Sequence, residues 1–514
     1  MQKIKYVIQN YNTPIYPIIL IIEMIINDFP KTFRRYWVKR CIAKWVGDFN
    51  EIYTFDDLEN KNSAYFQRRI VNSDLLKQTR HNIFKQGDSL IKFTEKFPRL
   101  NLKSISDKQL VDLYLEFNNK YKQLCLWGWV PNAVDGRKNL FSNKLEKKLK
   151  NILIKRRNEQ KIGEYYTILT SKSKISLREE VKIELLRICL KIKNNCSIKE
   201  LFTENSVKDI IKILPKYLKF QNLIKRYAQK YGWLTFNYNG PIYSYKNCVS
   251  EIKLFLKEKQ DIKLELINLQ KKAITTSRQK ENITKELNLP INLKREFNAL
   301  SELFYLKNFR KNILYQAHYH VQFLLKEMAR RLNYPLNLMY YLLPCEVTSL
   351  FLGQLNKKGF KDSLKDRLNL SVLRISLSGI QLFTGKKANS ILKKYNIKRK
   401  DIVKKNNKII QLKGQIASSG FYQGKAKIIN SKNDINKFKK GEILVSVKTD
   451  PALLPAMQRS GAIITEMGGI TSHAAIVSRE LQKPCIIGVK SATAILKDGN
   501  KILVDANEGK ITIL

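Results

Sequence analysis

Histidine is almost absent from this chain. Four occur in 514 residues: His81, His318, His320 and His473. A histidine-rich metal centre is thereby excluded, and His318 and His320, two apart, cannot face the same way on a helix to form a metal pair. No metal site is expected. Glycine is scarce over most of the chain, since ten of the 21 fall within residues 412–514. The first 200 residues read as helical and lack the glycine-rich loop that cradles phosphates. Gly385-Lys386 does not make a P-loop either, because Ile380 stands where the first glycine is required. The seven cysteines are odd in number and include no CxxC pair, which argues against a disulfide framework or a zinc site. Reduced thiols in a cytoplasmic protein are the expectation. The most apolar N-terminal run, YPIILIIEMIINDF, is broken by Glu23 and is too short to span a bilayer. It has neither the basic start nor the small-residue cleavage site of a signal peptide, and reads as a buried helix.

Acidic residues are outnumbered, with 44 Asp and Glu against 95 Lys and Arg and a formal charge of +51. Most of that excess lies upstream of residue 412; beyond it stand 15 basic and 8 acidic groups. The lysines are spread among Ile and Asn over the whole chain. A generally solvated surface is the first reading, and an acidic protein or a phosphate-bearing ligand is the second. Nucleic acid is the least expected partner, because no RNP, Cys/His finger or basic-zipper pattern accompanies the charge.

At 44% hydrophobic, the chain has ample material for a core, and its length exceeds that of a single domain. Residues 250–287 and 296–332 carry helical periodicity, the second segment bracketed by Pro290 and Pro335. Between them, KYGWLTFNYNGPIYSY (230–245) is an aromatic loop punctuated by glycine and proline. Its Trp233, Phe236 and Tyr238 either line a ligand cleft or plug a helical core. Residues 369–384 alternate as a short hairpin, and TGKKANSILKKYN follows as a helix. After residue 412 short strands and tight turns take over, among them GEILVSV, GAIITE, PCIIGV and a terminal hairpin. The expected organisation is multidomain: a mostly α-helical region at 1–365, a hairpin-plus-helix connector at 366–411, and a compact α/β (β/β/α) domain at 412–514.

Chemistry concentrates in GGITSHAAIVSRE, residues 468–480. Strand GAIITE runs into Gly468-Gly469, where backbone N–H groups can approach a ligand. Thr471 or Ser472 is a natural N-cap, which puts His473 in the first helical turn. The positive end of the helix discourages protonation of that imidazole and favours an anion attached to it. A neutral histidine so placed is a good phosphoryl acceptor, with Gly468, Gly469, Thr471 and Ser472 around the phosphate and Arg479 able to add charge. A histidine merely packed in a capping turn is the plainer alternative. Lys307, Arg310 and Lys311 lie within one turn of a helix, so they either share a face toward a phosphoryl group or form a solvated basic face.

The stretch from Thr449 to Leu514 closely resembles the mobile phosphohistidine domain of the phosphoenolpyruvate-utilising enzymes, and the resemblance covers roughly residues 412–514. That family includes phosphoenolpyruvate synthase, pyruvate phosphate dikinase and rifampicin phosphotransferase. The residues that carry the resemblance include Thr449, Pro451, Gly468-Gly469, Ser472-His473-Ala474-Ala475, Arg479-Glu480, Pro484, Gly488, Asp498-Gly499 and Asp505. It implies that His473 is phosphorylated and that the domain swivels between two distant sites. Thr471 stands where dikinases carry a regulated threonine, although N-capping already explains it. More weakly, YGWLTFNYNGP and the segment 300–332 resemble the central helical domain of the family, which binds the acceptor or links the domains. On that resemblance two modules are missing, an ATP-grasp domain and a pyruvate-binding barrel. The expectation is a phosphotransferase component whose ATP and Mg2+ sit on a separate ATP-grasp subunit with an acidic surface. Its acceptor would be a small hydroxyl compound on the helical region. The alternative is a phosphohistidine carrier or regulatory module with no small-molecule acceptor.

Overall fold

A computed structural model describes the chain except for residues 1–3, 5, 11–12, 48, 56–57, 73, 137–138, 237, 239, 241, 258–260, 398–410, 431, 450 and 469–471. The chain is multidomain. A mostly helical region is followed by a compact α/β domain.

The apolar run near the N-terminus forms helix Ile15–Glu23, which continues as a π-helical turn, Met24–Asp28. Most of its side chains are buried, so the run packs inside the protein. The segment after Pro290 is one helix, Ile291–Leu332, ended by Asn333 in the left-handed conformation just before Pro335. This long helix is the spine of the region. It packs against helices Leu75–Thr94 and Asp107–Gly128 on one side and Ile162–Thr170 on another. Residues 250–287 divide into Tyr245–Lys257 and Ile262–Glu286, the second capped by Asp261, whose carboxylate accepts from Lys263 N and Leu264 N. Among the described residues no helix is long and apolar enough to cross a membrane.

Strands also occur where the sequence reads as helical. β1 (Tyr6–Asn10), β2 (Arg40–Val46) and β3 (Phe49–Thr54) pair with β4 (Ser371–Ser376) and β5 (Gly379–Thr384) in the order β1-β3-β2-β4-β5. The cause is burial on both faces. The five central residues of β2 are all buried, so its sequence shows no alternation. The hairpin expected at 369–384 forms, but it does not stand apart as a connector. β4 pairs antiparallel with β2 along its whole length, which ties this part of 366–411 into the N-terminal region. Helix Gly385–Lys394 follows, and the rest of the expected linker, 398–410, lies outside the described residues.

The C-terminal domain contains β6 (Gln411–Lys413), β7 (Gln415–Ser418), β8 (Phe421–Ile428), β9 (Ile443–Ser446), β10 (Ala462–Thr465), β11 (Cys485–Ile487), β12 (Lys501–Asp505) and β13 (Lys510–Ile513). Their order is β6-β13-β12-β8-β9-β10-β11-β7. From β8 to β11 the strands run parallel, and from β8 through β12 and β13 to β6 they run antiparallel, so β8 serves both halves. The Gly420 turn between β7 and β8 therefore joins no hairpin. β7 pairs with β11 at the far end of the sheet. One face of the domain closes on its own core of Ile443, Val445, Ile464, Ile486, Ile502 and Val504. The other face merges with the helical region: Leu444, Ile463, Ala474, Ala475 and Val477 belong to the same apolar cluster as the long helix.

Candidate functional site

His473 opens helix His473–Glu480, and Ser472 is its N-cap, with Oγ accepting from Ala475 N at 3.3 Å. Gly468 turns the chain out of β10 with φ of 122°, and a Cβ there would lie 2.7 Å from the Ser472 Cβ. Glycine is required on both counts. Gly469 and Thr471 lie outside the described residues.

The imidazole is 6% exposed. Its Nδ1 stands 3.0 Å from Thr449 Oγ1, and its Nε2 is buried with no partner among the described residues. Thr449 follows β9, and the parallel pairing of β9 with β10 carries it to the histidine. The turn is held by Asn430, whose Oδ1 accepts from Val447 N at 2.8 Å and Ser446 Oγ at 3.2 Å. With its proton on Nδ1, the ring donates to Thr449 and leaves the Nε2 lone pair free. Burial is the main cause that holds the imidazole well below its ordinary range, followed by the charges of Arg178, Lys311 and Lys448. A neutral, singly hydrogen-bonded imidazole is the nucleophilic form.

Those three cations come from separate places. Lys448 is beside Thr449 in the C-terminal domain, Lys311 lies mid-way along the long helix, and Arg178 is in the first turn of helix Leu177–Lys193. The histidine therefore sits at the junction of the domain with the helical region. Arg178 is 8% exposed; its Nη2 donates to Leu234 O at 3.4 Å and its Nη1 has no partner among the described residues. A buried polar atom left unpaired costs about 1–3 kcal/mol. Among the described residues, Arg178 Nη1, His473 Nε2 and Arg479 Nη2 are such atoms at this junction.

The other residues singled out by sequence spread over several environments. Arg310 turns its guanidinium to the carbonyl of Gly128, with its stem packed over that glycine. Lys307 faces Asp135, whose buried carboxylate accepts from Phe141 N at 3.0 Å and Ser142 N at 2.8 Å. Of the three, Lys311 is the one whose charge bears on His473; Arg310, its neighbour in the chain, points about 100° away on the helix. Trp233 and Phe236 are buried in the core of the second helical cluster. Half-buried Tyr238 packs edge-on against His318 and Tyr315, at ring separations of 5.1 Å and 5.9 Å. His318 is fully buried, and burial lowers its pKa to about 3. Arg479 donates to Ala417 O at 2.6 Å and lies over the Phe304 ring, 5.4 Å from its centre, so it joins the two regions. Among the described residues no group of three or more His, Cys, Asp or Glu side chains could hold a metal ion.

Residues 438–509 match the family model described as PEP-utilising enzyme, mobile domain. The C-terminal domain is a PEP-utilising mobile domain. Over 100 residues it is 51% identical to a probable phosphoenolpyruvate synthase of Archaeoglobus fulgidus, a match that covers 20% of this chain and 13% of the relative. It is also 49% identical over 100 residues to the phosphoenolpyruvate synthase of Pyrococcus furiosus, again 20% of this chain and 12% of the relative. An uncharacterized phosphotransferase of Bacillus subtilis, YvkC, is 45% identical over 101 residues, 20% of this chain and 12% of its own length. The chain thus spans about an eighth of the relatives it matches. The likeness lies in the mobile domain, where Ser472, His473 and Thr449 stand.

Two measurements check this geometry. Thr449→Val removes the Nδ1 partner, worth about 1 kcal/mol, and is expected to slow reaction of the His473 imidazole with an electrophile roughly fivefold without unfolding the domain. The imidazole of the intact chain is expected to keep its neutral 15N shifts as pH falls below 6.5, the ordinary histidine value. Since the folded pKa is depressed, the docked arrangement loses stability as pH falls below 6.5 toward that lowered value.

Proposed function

We propose that this chain is a phosphotransferase component in which His473 carries a phosphoryl group from a nucleoside triphosphate to a small hydroxyl acceptor on the helical region. One observation carries the reading. A neutral imidazole whose Nε2 has no partner among the described residues is held at the junction of the mobile domain with the helical region, where the charges of Arg178, Lys311 and Lys448 bear on it.

In the loading step the Nε2 lone pair attacks phosphorus, the P–N bond forms, and the P–O bond to the nucleotide breaks with its electron pair on the leaving oxygen. In the transfer step an acceptor hydroxyl attacks the same phosphorus and its proton passes to a base. The P–N bond then breaks and its electrons return to Nε2. Thr449 holds the ring, while Arg178, Lys311 and Lys448 neutralise the charge that arrives with the phosphoryl group. Because Nε2 is shielded from solvent in the docked arrangement, loading requires the mobile domain to leave the helical region and transfer requires it to return.

The donor is assigned to a separate ATP-grasp subunit, and Mg2+ would come with its nucleotide to shield the phosphates. The positive surface of the helical region suits an acidic partner. A concrete test is to incubate the chain with such a subunit and γ-labelled ATP. Acid-labile, base-stable label that maps to His473 is expected. No label, or label elsewhere, would end this reading.

A further inference from the structure

A cavity of about 360 Å³ opens where helix Leu177–Lys193 meets the end of helix Leu218–Lys230 and helix Ile262–Glu286. Its size is that of a small-molecule site. The walls are braced from two sides. Lys230 Nζ and Tyr231 OH both donate to Glu184 Oε2, at 2.8 Å and 2.6 Å, and Tyr227 OH donates to Val181 O at 3.2 Å. Ion pairs Lys182–Glu265 and Lys272–Glu179, each 2.5 Å, tie the third helix to the first. A space held open in this way is formed before a ligand arrives.

The charges in the cavity are balanced. Two carboxylates, Glu180 and Glu184, line it with two cations, Arg187 and Lys230, in a chain where basic groups outnumber acidic ones 95 to 44. Such a set favours neither a phosphate nor an acidic protein. Glu184 and Lys230 satisfy each other. Glu180 and Arg187 do not: neither side chain has an ion-pair or hydrogen-bond partner among the described residues. They stand seven residues apart on one face of the helix, about 10 Å along its axis, too far to pair directly. Helix capping does not account for Glu180, because Glu179 already closes the capping box with Ser176. Apolar surface in the same cavity comes from Ile175 and Ile183.

We propose that this cavity binds a small extended zwitterion, with its ammonium on Glu180, its carboxylate on Arg187 and its methylene chain over Ile175 and Ile183. Each charged end then meets an unpaired side chain of opposite sign, through a charge-assisted hydrogen bond. The spacing of Glu180 and Arg187 disfavours glycine, whose two charges are adjacent, and suits a compound whose charged ends are several methylenes apart. The site is independent of His473 and of phosphoryl transfer, so it stands or falls apart from the carrier reading.

The experiment is calorimetric titration of the full chain with 6-aminohexanoate, beside hexanoate, which lacks the ammonium, and hexylamine, which lacks the carboxylate. Saturable binding of 6-aminohexanoate is expected, with each single-charge probe at least about tenfold weaker. Glu180→Gln and Arg187→Gln are each expected to weaken 6-aminohexanoate by a similar factor. Both side chains are exposed, so thermal melts of these variants should match the parent. The double reversal, Glu180→Arg with Arg187→Glu, turns the two charges round and is expected to restore most of the affinity, which a packing defect would not do. No binding of 6-aminohexanoate, equal binding of hexanoate or hexylamine, or unchanged affinity in either single variant would overturn the proposal. A double reversal as weak as the single variants would overturn it too.

Discussion

Replacing His473 by glutamine is expected to abolish acid-labile labelling of the chain, by at least about three orders of magnitude. The side chain that remains reaches Thr449 through an amide but offers no lone pair comparable with that of a neutral imidazole nitrogen. Nearby nucleophiles do not replace it. Ser472 Oγ is engaged as the helix cap, and Thr449 is 2% exposed and packed against the ring. The fold should be indifferent to the change, because Nε2 makes no hydrogen bond among the described residues and the cap is supplied by Ser472. Mass spectrometry at neutral and acidic pH, with a thermal melt of the same sample, measures both parts. Label that persisted in His473→Gln would move the carrier to another residue.

Blocking the docking surface should separate loading from transfer. Gly163, in helix Ile162–Thr170, faces the turn between β12 and β13 of the mobile domain. A Cβ on it would lie 3.1 Å from Asn507 O and 3.2 Å from Asn507 Cα. These are backbone atoms of a turn fixed by Asp505, which accepts from Asn507 N at 3.0 Å and Glu508 N at 3.1 Å. They cannot yield as a side-chain tip would. A second contact lies close by, where Gln415 donates to Asn143 at 2.8 Å and to Glu146 at 3.1 Å. Gly163→Leu therefore pushes the mobile domain off the helical region. On the proposed function, transfer from phosphorylated His473 to an acceptor is expected to fall about a hundredfold, as for reacting groups displaced by an ångström or more. Loading by the donor, which needs the free domain, should be retained or faster. Equal loss of both steps would show that the docked arrangement has no separate part in transfer. Small-angle scattering of the two forms reports the undocking directly.

The legible parts of the protein are those set by neighbours in the chain. The turn at Gly468, the cap at Ser472 and the position of His473 at the start of a helix follow from residues within five positions of one another. The long helix from 291 to 332 is equally local, with proline before it and proline after. Strands buried on both faces were a different matter. β2 and β3 lose the alternation that reveals a strand, because a helical layer covers one side and packed helix Gly385–Lys394 covers part of the other. β7 and β8 are close in sequence, but each finds its partner elsewhere, through register that no local pattern encodes.

The candidate site divides along the same line. By itself the sequence determined that this chain carries a glycine-rich α/β domain with one histidine at a helix start. That much is a matter of caps, turns and helix polarity, which act within a few residues. The tertiary structure decided which face of that histidine is free. Thr449 reaches Nδ1 only because β9 lies parallel to β10. Arg178 and Lys311 reach the same imidazole only because the mobile domain docks on two helices far apart in the chain. Arg310, adjacent to Lys311 in sequence, is turned to Gly128 by a rotation of about 100° along the helix. Electrostatics between buried groups acts over ångströms in space, so its partners could not be read from their spacing along the chain.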